Sequence, residues 1–251
     1  MDSLINSDDA GEDEIMHKET DGQYERVGNE LRELEQDDQC LKIINLCKTY
    51  DNGFKAVDNL NLTMYSGQIF ALLGHNGAGK TTTISVLTGL FHATSGNAKA
   101  FGIDLLNDQD EARKIMGVCP QHNVLFENLT PAEHFDIFCD FKGVPNDKRN
   151  ESIQKCLESV DLVEQQNLLA KNLSGGQKRK VNVGIAMLGD SKIVLLDEPT
   201  SGMDPTARRR LWDLLKNNKQ DKIIILTTHY MEEADILGDR IAIMAHGDAQ
   251  V

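Results

Sequence analysis

The sequence predicts an α/β fold: a mixed, mainly parallel sheet with a helical insertion. Three observations carry that expectation. From Leu41 onward, short β-rich runs alternate with helical stretches, as when crossover helices join parallel strands. Two runs, Ile193-Val194-Leu195-Leu196 and Ile223-Ile224-Ile225-Leu226, are unbroken apolar blocks, which suits strands covered on both faces. The middle, about residues 122–185, lacks strand signals and reads as helices only. In chain order, strands are expected over 41–46, 68–73, 115–118, 192–196, 222–227 and 240–244. Helices are expected over 79–90, 132–141, 147–160, 175–188, 205–217 and 231–237.

With 251 residues, 40% of them hydrophobic, the chain can bury a sizeable core. The net charge of -14 is unevenly spread. Residues 1–39 hold 14 Asp/Glu against 3 Lys/Arg, so they read as an acidic, disordered leader ahead of a nearly neutral domain over 40–251. Within the leader, Val27, Leu31 and Leu34 fall at helical spacing in the stretch 24–36, the pattern of a transient helix or a docking segment. No basic footprint for nucleic acid is present. Five cysteines without a C-x-x-C pair argue against a disulfide framework or a zinc site. The start is acidic where a signal peptide is basic, and the longest apolar runs span only a few residues. A bilayer span needs about 20, so this chain is not expected to cross a membrane by itself.

The stretch Gly74-His75-Asn76-Gly77-Ala78-Gly79-Lys80-Thr81 matches G-x-x-x-x-G-K-[ST] between an expected strand and an expected helix. Glycines let the backbone wrap tightly and turn successive N–H groups inward. The helix start adds partial positive charge. Lys80 is expected to reach the β- and γ-phosphates of a nucleotide, and Thr81 to offer a hydroxyl to Mg²⁺. Chance alone yields this pattern in roughly 1 in 100 chains of this length. A second piece is the apolar run ending in Asp197-Glu198. The carboxyl end of a parallel strand is where open α/β sheets bind ligands. Asp197 is expected to hold Mg²⁺ through its water shell, and Glu198 to polarise a water against the γ-phosphate.

Leu173-Ser174-Gly175-Gly176-Gln177 starts an expected helix some 20 residues before that strand. It resembles the signature of ABC ATPases, and the rest of residues 41–245 agrees in order and spacing. Gln121 resembles the glutamine loop, Ser201-Gly202-Met203-Asp204 the D-loop, and His229 the switch histidine. The wording Gly-His-Asn-Gly-Ala-Gly-Lys-Thr-Thr, Cys-Pro-Gln-His-Asn-Val-Leu-Phe and Ser-Gly-Gly-Gln-Lys-Arg-Lys is most similar to subfamily A, the lipid-exporter type.

The resemblance implies the ABC ATPase fold, with a P-loop core and a helical subdomain over about 122–185. Its cofactors are ATP and Mg²⁺, with Gln121 joining Thr81 and Asp197 at the metal. Tyr50 would stack on adenine, and Val57 and Thr82 would complete the nucleotide contacts. Catalysis would fall to Glu198, Gln121 and His229. Ser174, Gly175, Gly176 and Gln177, with Ser201 and Asp204, would face the nucleotide of a second ABC ATPase domain, ATP holding the pair together. A transmembrane domain would dock near residues 122–145, placing the chain at the cytoplasmic face of a membrane. Four phenylalanines there, Phe126, Phe135, Phe138 and Phe141, suit either a socket for that partner or the insertion's own core. Against the family pattern the chain is expected to be C-terminally truncated, ending at Val251, with no membrane domain ahead of it. Two alternatives stay open: a soluble ABC ATPase without a transport role, and a regulatory module that binds nucleotide without turnover.

Overall fold

Three strands, β3 (Gln68–Leu73), β7 (Ile193–Asp197) and β8 (Ile223–Thr228), form the centre of a six-stranded sheet because each is apolar on both faces. The computed structural model describes residues 28–245 and 247–250. The sheet also contains β6 (Met116–Cys119), β9 (Arg240–Ala245) and β10 (Asp248–Gln250). Its order is β10-β9-β3-β8-β7-β6, parallel throughout except for the β9–β10 hairpin.

Alternate side chains of the central strands serve two separate cores. Ile69, Ala71, Val194, Leu196, Ile224 and Leu226 face one, and Phe70, Leu72, Ile193, Leu195, Ile223 and Ile225 face the other. The first core is closed by helices, among them α4 (Pro131–Phe141), α5 (Asn146–Ser159), α6 (Gly175–Met187), α7 (Pro205–Asn217) and α8 (Met231–Leu237). The second is closed by α2 (Lys80–Leu87) and a separate four-stranded sheet. Burying both faces is what makes continuous apolar strands stable.

That second sheet is antiparallel and was not expected from the sequence. It pairs β2 (Lys55–Tyr65), β1 (Cys40–Thr49), β4 (Ser95–Ala100) and β5 (Ile103–Asp104). Asp58, Asn59 and Asn61 interrupt β2, and β4 reads Ser-Gly-Asn-Ala-Lys-Ala, both poor in strand formers. Pairing across the sheet holds them, with register shifts in β1 after Ile43 and Leu46. A short helix, α3 (Gln109–Ile115), leads into β6.

Residues 1–27, most of the expected leader, lie outside the described residues, Val27 with them. The part from Asn29 to Gln36 is helical (α1) and lies within the stretch 24–36 whose spacing reads as a transient helix or docking segment. Leu31 and Leu34 share a half-buried face against β2, and Glu35 pairs with Lys42 at 2.8 Å. No helix among the described residues is long and apolar enough to cross a membrane.

Candidate active site

The carboxyl ends of four strands meet at one edge of the parallel sheet. Beyond β3 the chain makes the 74–79 loop, beyond β6 it reaches Gln121, beyond β7 it reaches Glu198, and beyond β8 it reaches His229. In the loop, Gly79 has φ +105°, and a Cβ there would lie 2.4 Å from the Ala56 carbonyl oxygen. Gly77 has φ +84°. Only glycine takes these conformations without strain. His75, Asn76 and Gly77 are exposed, whereas Ala78, Gly79 and Lys80 are buried. Lys80 folds back over the loop, and its Nζ donates to the carbonyls of Gly74 (2.7 Å) and His75 (3.1 Å). Burial lowers the Lys80 pKa, and the charges of Glu198 and Asp197 oppose that shift.

Asp197 is 6% exposed. Its Oδ1 accepts from Thr227 Oγ1 at 2.6 Å and from Thr81 Oγ1 at 3.2 Å. A carboxylate and a hydroxyl therefore converge at the mouth of the cradle. These are the hard oxygen donors that Mg²⁺ prefers, and a site of one carboxylate completed by water and phosphate oxygens suits that ion. Glu198 has φ +43°, the left-handed region that non-glycine residues rarely adopt. Its N–H donates to Thr227 Oγ1 at 3.0 Å. Gln121 Nε2 donates to Glu198 Oε2 (3.0 Å), and His229 Nδ1 lies 3.1 Å from Glu198 Oε1. Three residues far apart in sequence thus form one chain, Gln121–Glu198–His229. Thr227 had no sequence signal: it reads as the last residue of an apolar strand, yet its hydroxyl serves both carboxylate residues.

Tyr50 is half-buried and sits in an aromatic group rather than alone. Its ring is near-parallel to Phe54 (6.5 Å between centroids, 17°) and edge-on to Phe91 (5.9 Å, 81°). Its hydroxyl lies 3.2 Å from Thr82 Oγ1, joining it to the first turn of α2. Val57 corrects an expectation. It is 0% exposed, part of the core beneath β2, so its side chain offers no surface to a nucleotide. A register shift between Leu60 and Val57, with Asn59 at φ +52°, breaks the alternation of β2 and returns Val57 to the core.

The signature residues are engaged locally. Ser174 Oγ accepts from Gln177 N–H (3.2 Å), and Gln177 Oε1 accepts from Ser174 N–H (2.9 Å). This capping box satisfies the first turn of α6. Gly175 is exposed and Gly176 half-buried. Asp204 likewise caps α7 through Thr206 and Ala207 N–H, both at 3.0 Å, and Ser201 N–H closes a turn onto the Glu198 carbonyl at 3.1 Å. The helix that follows Ser174 packs into the core on the face of the sheet opposite α2.

The phenylalanines after Gln121 divide between interior and surface. Phe135 is fully buried and Phe138 packs against the core, whereas Phe126 and Phe141 are 63% and 77% exposed. Val124 is exposed as well.

A phosphate-binding loop opposite a paired Asp-Glu strand end, with glutamine and histidine on the glutamate, defines a P-loop ATPase. More narrowly, the sequence profile described as ABC transporter matches residues 57–201, and the chain belongs to that family. It is 50% identical over 227 residues to the human phospholipid-transporting ATPase ABCA3, covering 88% of this chain and 13% of that protein. It is also 50% identical over 209 residues to the human retinal-specific phospholipid-transporting ATPase ABCA4, covering 83% of this chain and 9% of that protein. The chain thus spans about a tenth of the length of these relatives. Among solved structures it resembles the ATP binding subunit of an ABC transporter (TM-score 0.75, 26% identity, 84% of this chain and 88% of that one). It also resembles a dimeric ATP-binding cassette in a post-hydrolysis state bound to ADP and Pi (TM-score 0.72, 27% identity, 84% and 97%). The fold and family expected from the sequence are those found.

Proposed function

We propose that this chain is the ATP-hydrolysing domain of a subfamily A transporter and that Glu198 activates the attacking water. The observation that carries this reading is the Glu198 carboxylate, held by Gln121 on one oxygen and His229 on the other, beside the Thr81–Asp197 pair. In this reading the loop N–H groups and Lys80 bind the phosphates, Lys80 exchanging its carbonyl partners for phosphate oxygens. Tyr50 bears on the adenine. Thr81, Asp197 and Gln121 would hold Mg²⁺, whose charge would offset that developing on the phosphates. Glu198 takes a proton from water while Gln121 and His229 keep its carboxylate aimed at the γ-phosphate.

A second ATPase domain completes the site. Ser174 opens a helix on the opposite face of the sheet from α2, which supports its serving another copy's nucleotide rather than its own cradle. Differential affinity for ATP over ADP then closes and releases the pair. A dimeric, ADP- and Pi-bound cassette among the structural relatives supports this assembly. The exposed Val124, Phe126 and Phe141 offer an apolar surface to a transmembrane domain, which would set the chain at the cytoplasmic face of a membrane. Relatives named as phospholipid-transporting support lipid as the cargo class.

Phosphate release by the wild type and by Glu198→Gln tests the catalytic reading. The variant is expected to lose about 10²–10⁴-fold in kcat, or roughly 3–5 kcal/mol, and to dimerise when ATP is added. Equal release by both chains would favour the alternative of a nucleotide-binding module without turnover.

A further inference from the structure

One cation near the site is fully enclosed and has no role in the assignments above. Arg179 lies on α6, five residues beyond Ser174, and is 3% exposed. Its guanidinium donates to four main-chain carbonyls. Nε donates to Pro199 O (2.7 Å), Nη2 to Asp197 O (2.9 Å), and Nη1 to Pro120 O (2.5 Å) and Gln121 O (3.1 Å). Two of these carbonyls flank Glu198, the residue held at φ +43°. The other two belong to the segment that carries the Gln121 amide. A single planar group therefore fixes the turn behind each partner of the 3.0 Å Gln121–Glu198 hydrogen bond.

A planar fork of five donors, always charged, spans two such segments, whereas the point charge of a lysine does not. The left-handed backbone at Glu198 costs energy and persists only where its surroundings over-determine it. Here they include Arg179 on both neighbouring carbonyls and Thr227 on the Glu198 N–H. Because Arg179 is anchored in α6, the geometry of the hydrolytic pair is set by the same helix whose first turn is the signature.

We propose that Arg179 is a positioning residue for hydrolysis: it holds Glu198 and Gln121 in register with each other and ties both to the signature helix. This rests on the reading of Glu198 as the group that activates water. The test is a double-mutant cycle on the whole chain, with steady-state phosphate release and equilibrium binding of a fluorescent ATP analogue, well below the unfolding transition. Arg179→Lys keeps the charge and loses the fork. It is expected to lower kcat about 10- to 100-fold, the scale of a roughly 1 Å misplacement, while KM and analogue affinity change less than about threefold. In a Glu198→Gln background the same substitution is expected to cost little further, since the group it positions is already disabled. Arg179→Gln, uncharged and with one amide, is the second variant and should behave alike. Wild-type kcat in Arg179→Lys would overturn the proposal. So would a rise in KM with kcat retained, an undiminished loss on top of Glu198→Gln, or failure of both variants to fold, which would make Arg179 structural alone. If Glu198→Gln itself kept full activity, the reading of Glu198 would fall instead.

Discussion

The hydrolytic edge of the sheet and the first turn of α6 are both rich in polar groups, but they are built differently. At the edge, the two carboxylates are held by residues distant in sequence. Gln121 reaches Glu198 across 77 positions, Thr81 reaches Asp197 across 116, and Thr227 reaches Asp197 across 30. At the signature, Ser174 and Gln177 bond each other across three positions and complete their own helix start. One region is assembled by the fold. The other is a self-contained cap whose exposed Ser174 and Gly175 stay presented outward. The cap's own turn is satisfied within three residues, and α6 joins the buried network only further along, through Arg179.

The contrast makes the edge expensive to perturb and the cap cheap. Thr227→Val carries the largest expected loss of stability. It removes the 2.6 Å bond to a buried carboxylate and the acceptor for Glu198 N–H in one step. Unsatisfied buried groups of this kind cost about 1–3 kcal/mol, read from the shift in denaturant midpoint at constant slope. A loss within about 0.5 kcal/mol would mean that the edge is no more tightly wired than the cap. Ser174→Ala should cost about 1 kcal/mol, the usual value of an N-cap, with nucleotide affinity of the isolated chain unchanged. A weaker affinity there would place Ser174 at its own cradle and dissolve the distinction.

A dependence on pH is expected at the far end of the same strands. Lys142, just past α4, donates to Met116 O and Ser191 Oγ, tying the helical insertion to the starts of β6 and β7. Burial, with the nearby Lys222 charge adding to it, lowers its pKa from 10.5 to about 8. The folded chain therefore binds fewer protons at this residue than the unfolded chain between about pH 8 and 10.5. Stability should rise with pH across that window, and the rise should be smaller in Lys142→Met. Equal urea midpoints at pH 7.5 and 9.5, with the slope unchanged, would show that this tie, unlike the hydrolytic edge, is open to water.

Much of this was legible in the residues. Continuous Ile/Val/Leu runs can be stable only as strands buried on both faces, so β3, β7 and β8 were readable, and the motif at their ends placed the cradle. Helix starts were readable for the same local reason: Asp204-Pro205 and Ser174-x-x-Gln177 satisfy their own first turns. Glu198, Gln121 and His229 could be nominated from spacing and resemblance, and the fold brings them within hydrogen-bonding distance of one another.

Tertiary structure alone decided the rest. The antiparallel sheet depends on β4 and the Asn-rich β2, whose residues have little strand preference of their own and are held by partners on β1. Val57 became core rather than contact, Tyr50 acquired Phe54 and Phe91 as neighbours, and the four phenylalanines of the insertion split between interior and surface. Arg179 and Thr227 looked like a charged helix residue and a strand end until the fold placed carbonyls and carboxylates around them. The physical reason is one of range. Periodicity, capping and glycine loops are satisfied within a few residues and leave their mark there, whereas hydrogen bonds across tens of positions depend on which surfaces the whole chain brings together.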